Sequence, residues 1–428
     1  MTASPLSQPS ASGSPPQTKS ATAKAPADTT TSTSDSPLPS GTTAAEPITD
    51  KSTTATTTTT KTTTPAAAVA VATTSETPAA GSAAIPDPAM PPVQPVLPAS
   101  HWAQVQSNEE DDFADSDSAY GDDNASSTAS LSASILEYRT LHGRTFHSER
   151  GNAQSWTPND ALNDESMDIL HHAATLMLGG KLTLAPIEKN KVMKVLDVGC
   201  GTAMCLSDFA DMHPLAEVVG VDISPSQPQW IPPNLKFEID DITLPWTYPP
   251  NHFDFVHMRW LVGAIPNWNS VFEEAYKTVK PGGYFESVES SCTIQSDDGS
   301  VTPGSALSQW GQVFREAGRK FGRTFTPIED DVQRIGMEKA GFVDIQVKNY
   351  KTILGPWPAD AKLKEIGQYA RLGIEQDIEG FLLYMWTSVL GWTREEIAVY
   401  AAHLRRELRN PNFHAWYPKR VVVGRKPL

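Results

Sequence analysis

The sequence predicts an α/β protein built on a doubly wound, mostly parallel sheet with added helices, preceded by a long disordered N-terminal tail. Three observations carry this. Apolar runs of strand length alternate with helical spacings between residues 194 and 290. One of these runs ends in a glycine turn that opens directly into a helical pattern. The composition changes abruptly near Ser134.

Residues 1–134 are Thr, Ser, Ala and Pro with almost no aromatics, and 53–64 reads TTATTTTTKTTT. Such a stretch buries too little apolar surface to offset its conformational entropy, so disorder is expected. An acidic patch, EEDDFADSDSAYGDDN, follows at 109–124 and reads as a solvated linker or a docking segment. The stretch 1–134 holds 4 Lys and 14 acids, while ten of the eleven Trp lie in 135–428. That second part is therefore the expected folded domain.

Within it, Lys194–Val198 is a short apolar strand and 206–212 is helical. Segments 217–221 and 235–239 read as strands. The run FDFVHM at 253–258 is apolar nearly throughout, as a strand buried on both faces should be. In 270–279, Phe272, Ala275, Tyr276 and Val279 share one helical face. Pro281, Gly282 and Gly283 predict a turn and 284–290 a strand. Two more strands are expected at 342–350 and 417–424, with helices over 360–372, 377–390 and 394–408.

Composition narrows the function classes. The formal net charge of −16 argues against non-specific nucleic-acid binding, which needs a basic surface. Three Cys cannot build a disulfide framework. No basic start followed by an apolar core opens the chain, and no apolar run approaches the ~20 residues of a spanning helix, so no membrane association is expected. The His residues, including His142, His147, His171 and His172, follow no familiar ligand spacing, and no metal is expected.

The most informative segment is VLDVGCGTAMC at 195–205. Gly199 and Gly201 allow a tight turn and close approach of a ligand. The following helix offers free N–H groups. Asp222 ends the next strand, 25 residues after Asp197, where an acid can accept from both hydroxyls of a ribose. A nicotinamide site would want a third glycine where Met204 stands.

The pattern D-x-G-x-G instead resembles motif I of class I S-adenosylmethionine-dependent methyltransferases. FEIDDIT (237–243), FDFVHMRW (253–260) and VKPGGYFESVE (279–289) resemble the later motifs in their proper order. The upstream blocks YRTLHGRTFHSERG (138–151) and WTPNDALNDESMDILHH (156–172), with GFVDIQVKNYKTILGPWP (341–358), narrow the resemblance to fungal methyltransferases similar to LaeA, a regulator of secondary metabolism. The resemblance covers 135–428 and implies a seven-stranded Rossmann-like methyltransferase sheet, S-adenosyl-L-methionine as cofactor, and a cytoplasmic or nuclear setting. It implies that Asp197 faces the methionine amino group, that Asp241 accepts from the adenine amino group, and that Ile242 lies beside the adenine ring. Ala203 stands where the family has a further glycine, and its methyl is expected beside the cofactor. The methyl acceptor, a small molecule or a protein, is not specified. The alternative is a catalytically weak or inactive member acting as a regulatory interaction partner.

Methyl transfer from a sulfonium is an in-line displacement with a good leaving group, so positioning and exclusion of water carry much of the catalysis. His257 and Arg259, at the carboxyl end of the fourth strand, are the candidates for a base and a substrate contact. Cys200 reads as a small filler within the glycine turn.

Overall fold

The computed structural model describes residues 94–105, 137–148 and 155–428. The expectations of disorder for 1–93 and 106–134, and of the acidic patch, lie outside the described residues.

A seven-stranded sheet runs through the domain. Its strands are β3 (Lys194–Val198), β4 (Glu217–Asp222), β5 (Leu235–Ile239), β6 (Phe253–Arg259), β7 (Val279–Ser290), β8 (Val343–Ile353) and β9 (Trp416–Arg425). They lie side by side in the order β5-β4-β3-β6-β7-β9-β8. The first five in sequence pair in parallel. Only β9 runs against the rest, inserted between β7 and β8. The chain leaves β3 toward β4 and β5, then returns to lay β6 on the other side of β3. That reversal makes the switch point at which open sheets bind ligands.

The strands read as buried apolar runs because helices cover both faces. On one face α3 (Met204–Met212) packs, its Leu206 and Phe209 against Val195, Val218 and Phe255. On the other lie α4 (Trp268–Thr278) and α6 (Val332–Ala340). There Phe272 closes so tightly on Gly336 that a Cβ at that glycine would come within 2.0 Å of the ring. The turn expected at Pro281–Gly283 falls within β7, where the pairing with β6 shifts register between Phe253 and Phe255. That irregularity admits a Pro–Gly–Gly sequence into a strand.

A second helical layer caps the carboxyl end of the sheet. It holds α2 (Ala161–Met177), α5 (Ala306–Phe321), α7 (Ala361–Gln376), α8 (Ile378–Tyr384) and α9 (Arg394–Arg409) around a core that includes Trp310, Phe314, Trp386 and Tyr400. The helix read as 377–390 is α8 followed by a π turn over Met385–Val389. Helix α9 carries a full capping box from Thr393 and Glu396. A small hairpin, β1 (Arg139–Leu141) and β2 (Arg144–Phe146), is tied down by Arg144. Its guanidinium donates to Asp160 at 2.5 and 2.7 Å and to Asp377 at 2.7 and 2.8 Å. Those two acids are the N-caps of α2 and α8, so one side chain registers the hairpin and both helices.

One part of the tail assignment is corrected. Residues 94–105 hold helix α1 (Ala99–Gln104), and Trp102 is only 2% exposed. Its ring meets Tyr400 edge-on at 5.1 Å, and its carbonyl lies 3.0 Å from His403 Nε2. A lone tryptophan outweighs the polar composition around it, because burying one large ring contributes several kcal/mol.

Candidate functional site

β3 ends at Val198 and the chain turns sharply over 199–203. Gly199 has φ +70°, and a Cβ there would lie 2.5 Å from Leu261 Cδ2, so only glycine fits. Gly201 has φ +54°, and a Cβ there would project into open space. Asp222, at the tip of β4, fastens the turn from beside. Its Oδ2 accepts from Gly201 N at 2.8 Å and its Oδ1 from Ser224 N at 2.9 Å. Burial raises its pKa, and these amide bonds oppose the rise.

The turn opens onto a cleft at the β3/β6 switch point. Of the residues expected there, Asp197, Gly199, Gly201, Asp222, Ile242 and Arg259 all line it. Two do not. Asp241 is turned away: its Oδ1 accepts from Thr243 N at 2.9 Å and Thr243 Oγ1 at 2.6 Å, closing the turn after β5. Its neighbour Asp240 lines the cleft instead, with its amide donating to the Asp222 carbonyl at 3.1 Å.

His257 is the second correction. It shares a sheet face with Arg259 but sits two residues earlier, roughly 6–7 Å deeper along the strand. Its ring lines a small cavity beneath the turn with Leu182, Thr183 and Phe209. Nδ1 lies 2.7 Å from Asp197 Oδ1, and both residues are buried. Among the described residues its Nε2 has no hydrogen-bond partner. Arg259, at the strand tip, does reach the cleft. Its Nη1 donates to His171 Nδ1 at 3.0 Å. His171 Nε2, which then carries the proton, faces Asp208 at 3.3 Å. Burial and the nearby guanidinium push the His171 pKa down to about 4, so the ring stays neutral.

The sequence reading missed the contribution of α2, which crosses the cleft mouth with Asp164, Met167 and His171. Asp168, one turn beyond Asp164, accepts from Thr202 Oγ1 at 2.6 Å and so binds α2 to the glycine turn. The carboxyl of Asp164 is pushed up to about 7, first by burial and then by Asp168, Asp160 and Asp222. The spacing 164, 168 and 171 places three titratable groups on one helical face, a signal present in the sequence. α2 is held in place by α7: Ser166 Oγ donates to the Gly373 carbonyl at 2.6 Å, at a glycine where a Cβ would strike Leu170.

Ala203 also departs from expectation. It is fully buried, caps α3 with φ 61°, and packs into the core below the turn rather than lining the cleft. Its methyl leaves the cleft clear. Cys200 fills space against Gly220, and burial raises its pKa well above the usual thiol value.

A parallel sheet whose first glycine turn and second-strand acid share a cleft at the switch point is the architecture of Rossmann-like nucleotide-cofactor sites, class I methyltransferases among them. Comparison with known proteins agrees. A family profile described as a methyltransferase domain matches residues 169–347. Methyltransferase pytC of Aspergillus terreus is 35% identical over 306 residues, covering 71% of this chain and 93% of its own. The secondary metabolism regulator LAE1 of Cochliobolus heterostrophus is 32% identical over 292 residues, 67% of this chain and 94% of its own. The secondary metabolism regulator laeA of Aspergillus fumigatus is 30% identical over 314 residues, 72% and 82% respectively. The chain belongs to this fungal family of S-adenosyl-L-methionine-dependent methyltransferases. Among the described residues no helix is long and apolar enough to cross a membrane.

Proposed function

We propose that the chain transfers a methyl group from S-adenosyl-L-methionine to a small-molecule acceptor, within or in control of fungal secondary metabolism. The observation that carries the cofactor assignment is the junction of Asp222 with the glycine turn. The residues fit the cofactor: the space beyond Gly201 admits close approach, and Asp222 keeps lone pairs free beyond its two amide bonds. In this reading Asp222 accepts from the ribose hydroxyls, Asp240 and Ile242 flank the adenine, and Arg259 receives the methionine carboxylate. Asp197 faces the amino group, and His257 holds Asp197 in place rather than touching the reacting atoms. The bound cofactor supplies a methyl carbon on a positively charged sulfur, with a neutral thioether as leaving group.

The chain's own work is then orientation and dryness. Burial fixes Asp197 and Asp222, the His171 ring steadies Arg259, and α2 narrows the cleft mouth. The similarity to laeA and LAE1 supports the regulatory setting, and that to pytC supports methyl transfer. Calorimetric titration with S-adenosyl-L-methionine and S-adenosylhomocysteine, followed by radiolabelled methyl transfer in fungal extract, tests the reading. Label appearing only in protein would overturn the small-molecule acceptor. Absence of binding by either ligand would overturn the cofactor assignment.

A further inference from the structure

The cofactor cleft differs in character from side to side. Toward β4 and β5 it is walled by Asp222, Asp240 and Ile242, which the cofactor reading gives to the adenosine half. Toward β6 the walls are apolar: Trp156, Trp260 and Val262, with Met167 and Leu170 of α2. All of these line one cavity, so an occupant of the β6 side is open to the cofactor. Arg259, which the same reading gives to the methionine carboxylate, ends β6 directly before Trp260.

Among the described residues four carboxylates line this cleft: Asp164, Asp197, Asp222 and Asp240. Three are engaged. Asp197 Oδ1 lies 2.7 Å from His257 Nδ1, Asp222 holds the amides of Gly201 and Ser224, and Asp240 Oδ1 accepts from Asp241 N at 2.8 Å. Asp164 is half-buried, and no hydrogen bond or ion pair from the described residues reaches its carboxyl. Its place is nevertheless fixed, because its neighbours along α2 are pinned on both sides. Asp160 is held by Arg144, and Asn163 Nδ2 donates to Asp377 Oδ2 at 3.2 Å. Ser166 is held by the Gly373 carbonyl and Asp168 by Thr202. Met167 and His171 share the helical face and the cleft with Asp164. A partly desolvated carboxylate without a partner is costly unless a ligand supplies the donor. Burial, then Asp168, Asp160 and Asp222, bring this carboxyl up to about 7, which suits proton transfer near neutral pH.

We propose that Asp164 is the catalytic base for the methyl acceptor, a small flat apolar molecule that presents a hydroxyl to it from the β6 side of the cleft. The proposal rests on the cofactor reading above, which gives the cofactor's ribose and amino donors to Asp222 and Asp197 and leaves Asp164 to the acceptor. The acceptor oxygen forms the new bond to the methyl carbon. The carbon–sulfur bond breaks with its electron pair staying on sulfur. The hydroxyl proton passes to a carboxylate oxygen of Asp164 and thence to solvent. A hydroxyl can donate to the acid and still keep lone pairs for the attack, whereas an ammonium has none to offer. The indole walls favour a ring.

The test uses the full chain with S-adenosyl-L-methionine and 2-naphthol as probe acceptor. The methyl ether is followed by single-turnover mass spectrometry, and S-adenosylhomocysteine and 2-naphthol affinities by calorimetry. Wild type should form the ether. Asp164→Asn, which keeps the shape and an acceptor oxygen but cannot take the proton, should slow the single-turnover rate by about 100-fold or more. Its affinities for S-adenosylhomocysteine and 2-naphthol should stay within about threefold of wild type. Asp164→Glu, which restores a carboxylate, should recover part of the rate. An Asp164→Asn rate within about tenfold of wild type overturns the base. So does a weakened 2-naphthol affinity with an unchanged rate. Loss of S-adenosylhomocysteine binding in both variants gives Asp164 to the cofactor or the fold and overturns it equally. Methylation of 2-naphthylamine but not 2-naphthol, or of neither by a wild type that binds S-adenosylhomocysteine, overturns the hydroxyl acceptor and leaves the cofactor reading standing. Failure of wild type to bind S-adenosylhomocysteine removes both readings.

Discussion

His257 Nδ1 lies 2.7 Å from Asp197 Oδ1, across two parallel strands that pair these residues in register. The imidazole therefore faces the acid that lines the cofactor cleft, not the cleft itself. His257→Ala strands a buried carboxylate, which should cost roughly 2–3 kcal/mol of stability and weaken cofactor binding. His257→Asn, whose amide can replace the Nδ1 donor, should recover part of both. Melting temperature and Kd for S-adenosylhomocysteine check this. A fall in kcat with unchanged Kd and melting temperature would instead mark a catalytic base.

Asp222→Ala should lose on two counts. Removal of the carboxylate releases the amides of Gly201 and Ser224, at a cost on the order of 1–3 kcal/mol of stability. It also removes the ribose acceptor, for a loss of roughly 2–4 kcal/mol of cofactor affinity. Thermal unfolding and calorimetry on the same sample separate the two.

Ala203→Gly should leave cofactor affinity within about twofold, because the methyl points into the core. Glycine suits φ 61° but forfeits a buried methyl and adds chain freedom, so stability should move by less than about 1 kcal/mol. A large change in Kd would place the methyl against the ligand.

Asp164 gives a pH signature. Its carboxyl titrates at about 7 in the fold against 3.8 for an ordinary aspartate, so the folded state holds the proton longer. The stability this contributes is complete below about pH 4 and is lost as pH rises through about 7. Asp164→Asn should therefore raise the melting temperature at about pH 8 relative to wild type, with the advantage shrinking toward about pH 4. An equal gain at both pH values would rule out the titration.

Deletion of residues 1–93 should preserve both stability and cofactor binding. Deletion through 105 should not, because it removes Trp102 from its contacts with Tyr400 and His403. Trp102→Ala alone should cost about 3–5 kcal/mol, measurable by denaturant unfolding.

The strands and the glycine turn were legible in the sequence because a buried parallel strand is apolar on both faces and a turn at positive φ demands glycine. Depth and direction were not. His257 and Arg259 share one sheet face, and only the length of β6 decides which reaches the cleft. Asp240 and Asp241 are adjacent acids, and the turn that consumes Asp241 is closed by Thr243, a contact without periodicity. Helices α5 and α6 were not among the expected elements, although α5 carries a strongly one-sided apolar stripe that helical spacing alone would have shown. Trp102 was hidden by averaging over a polar stretch.

The antiparallel strand β9 has a consequence for synthesis. Among the described residues β8 has no neighbour in the sheet other than β9, so as the chain is translated residues 343–353 wait, unpaired, until 416–425 have been made. The open edge of β7 waits with them. The nascent chain therefore carries two unpaired strand edges through the synthesis of α7, α8 and α9, an interval in which edge-to-edge aggregation is a hazard.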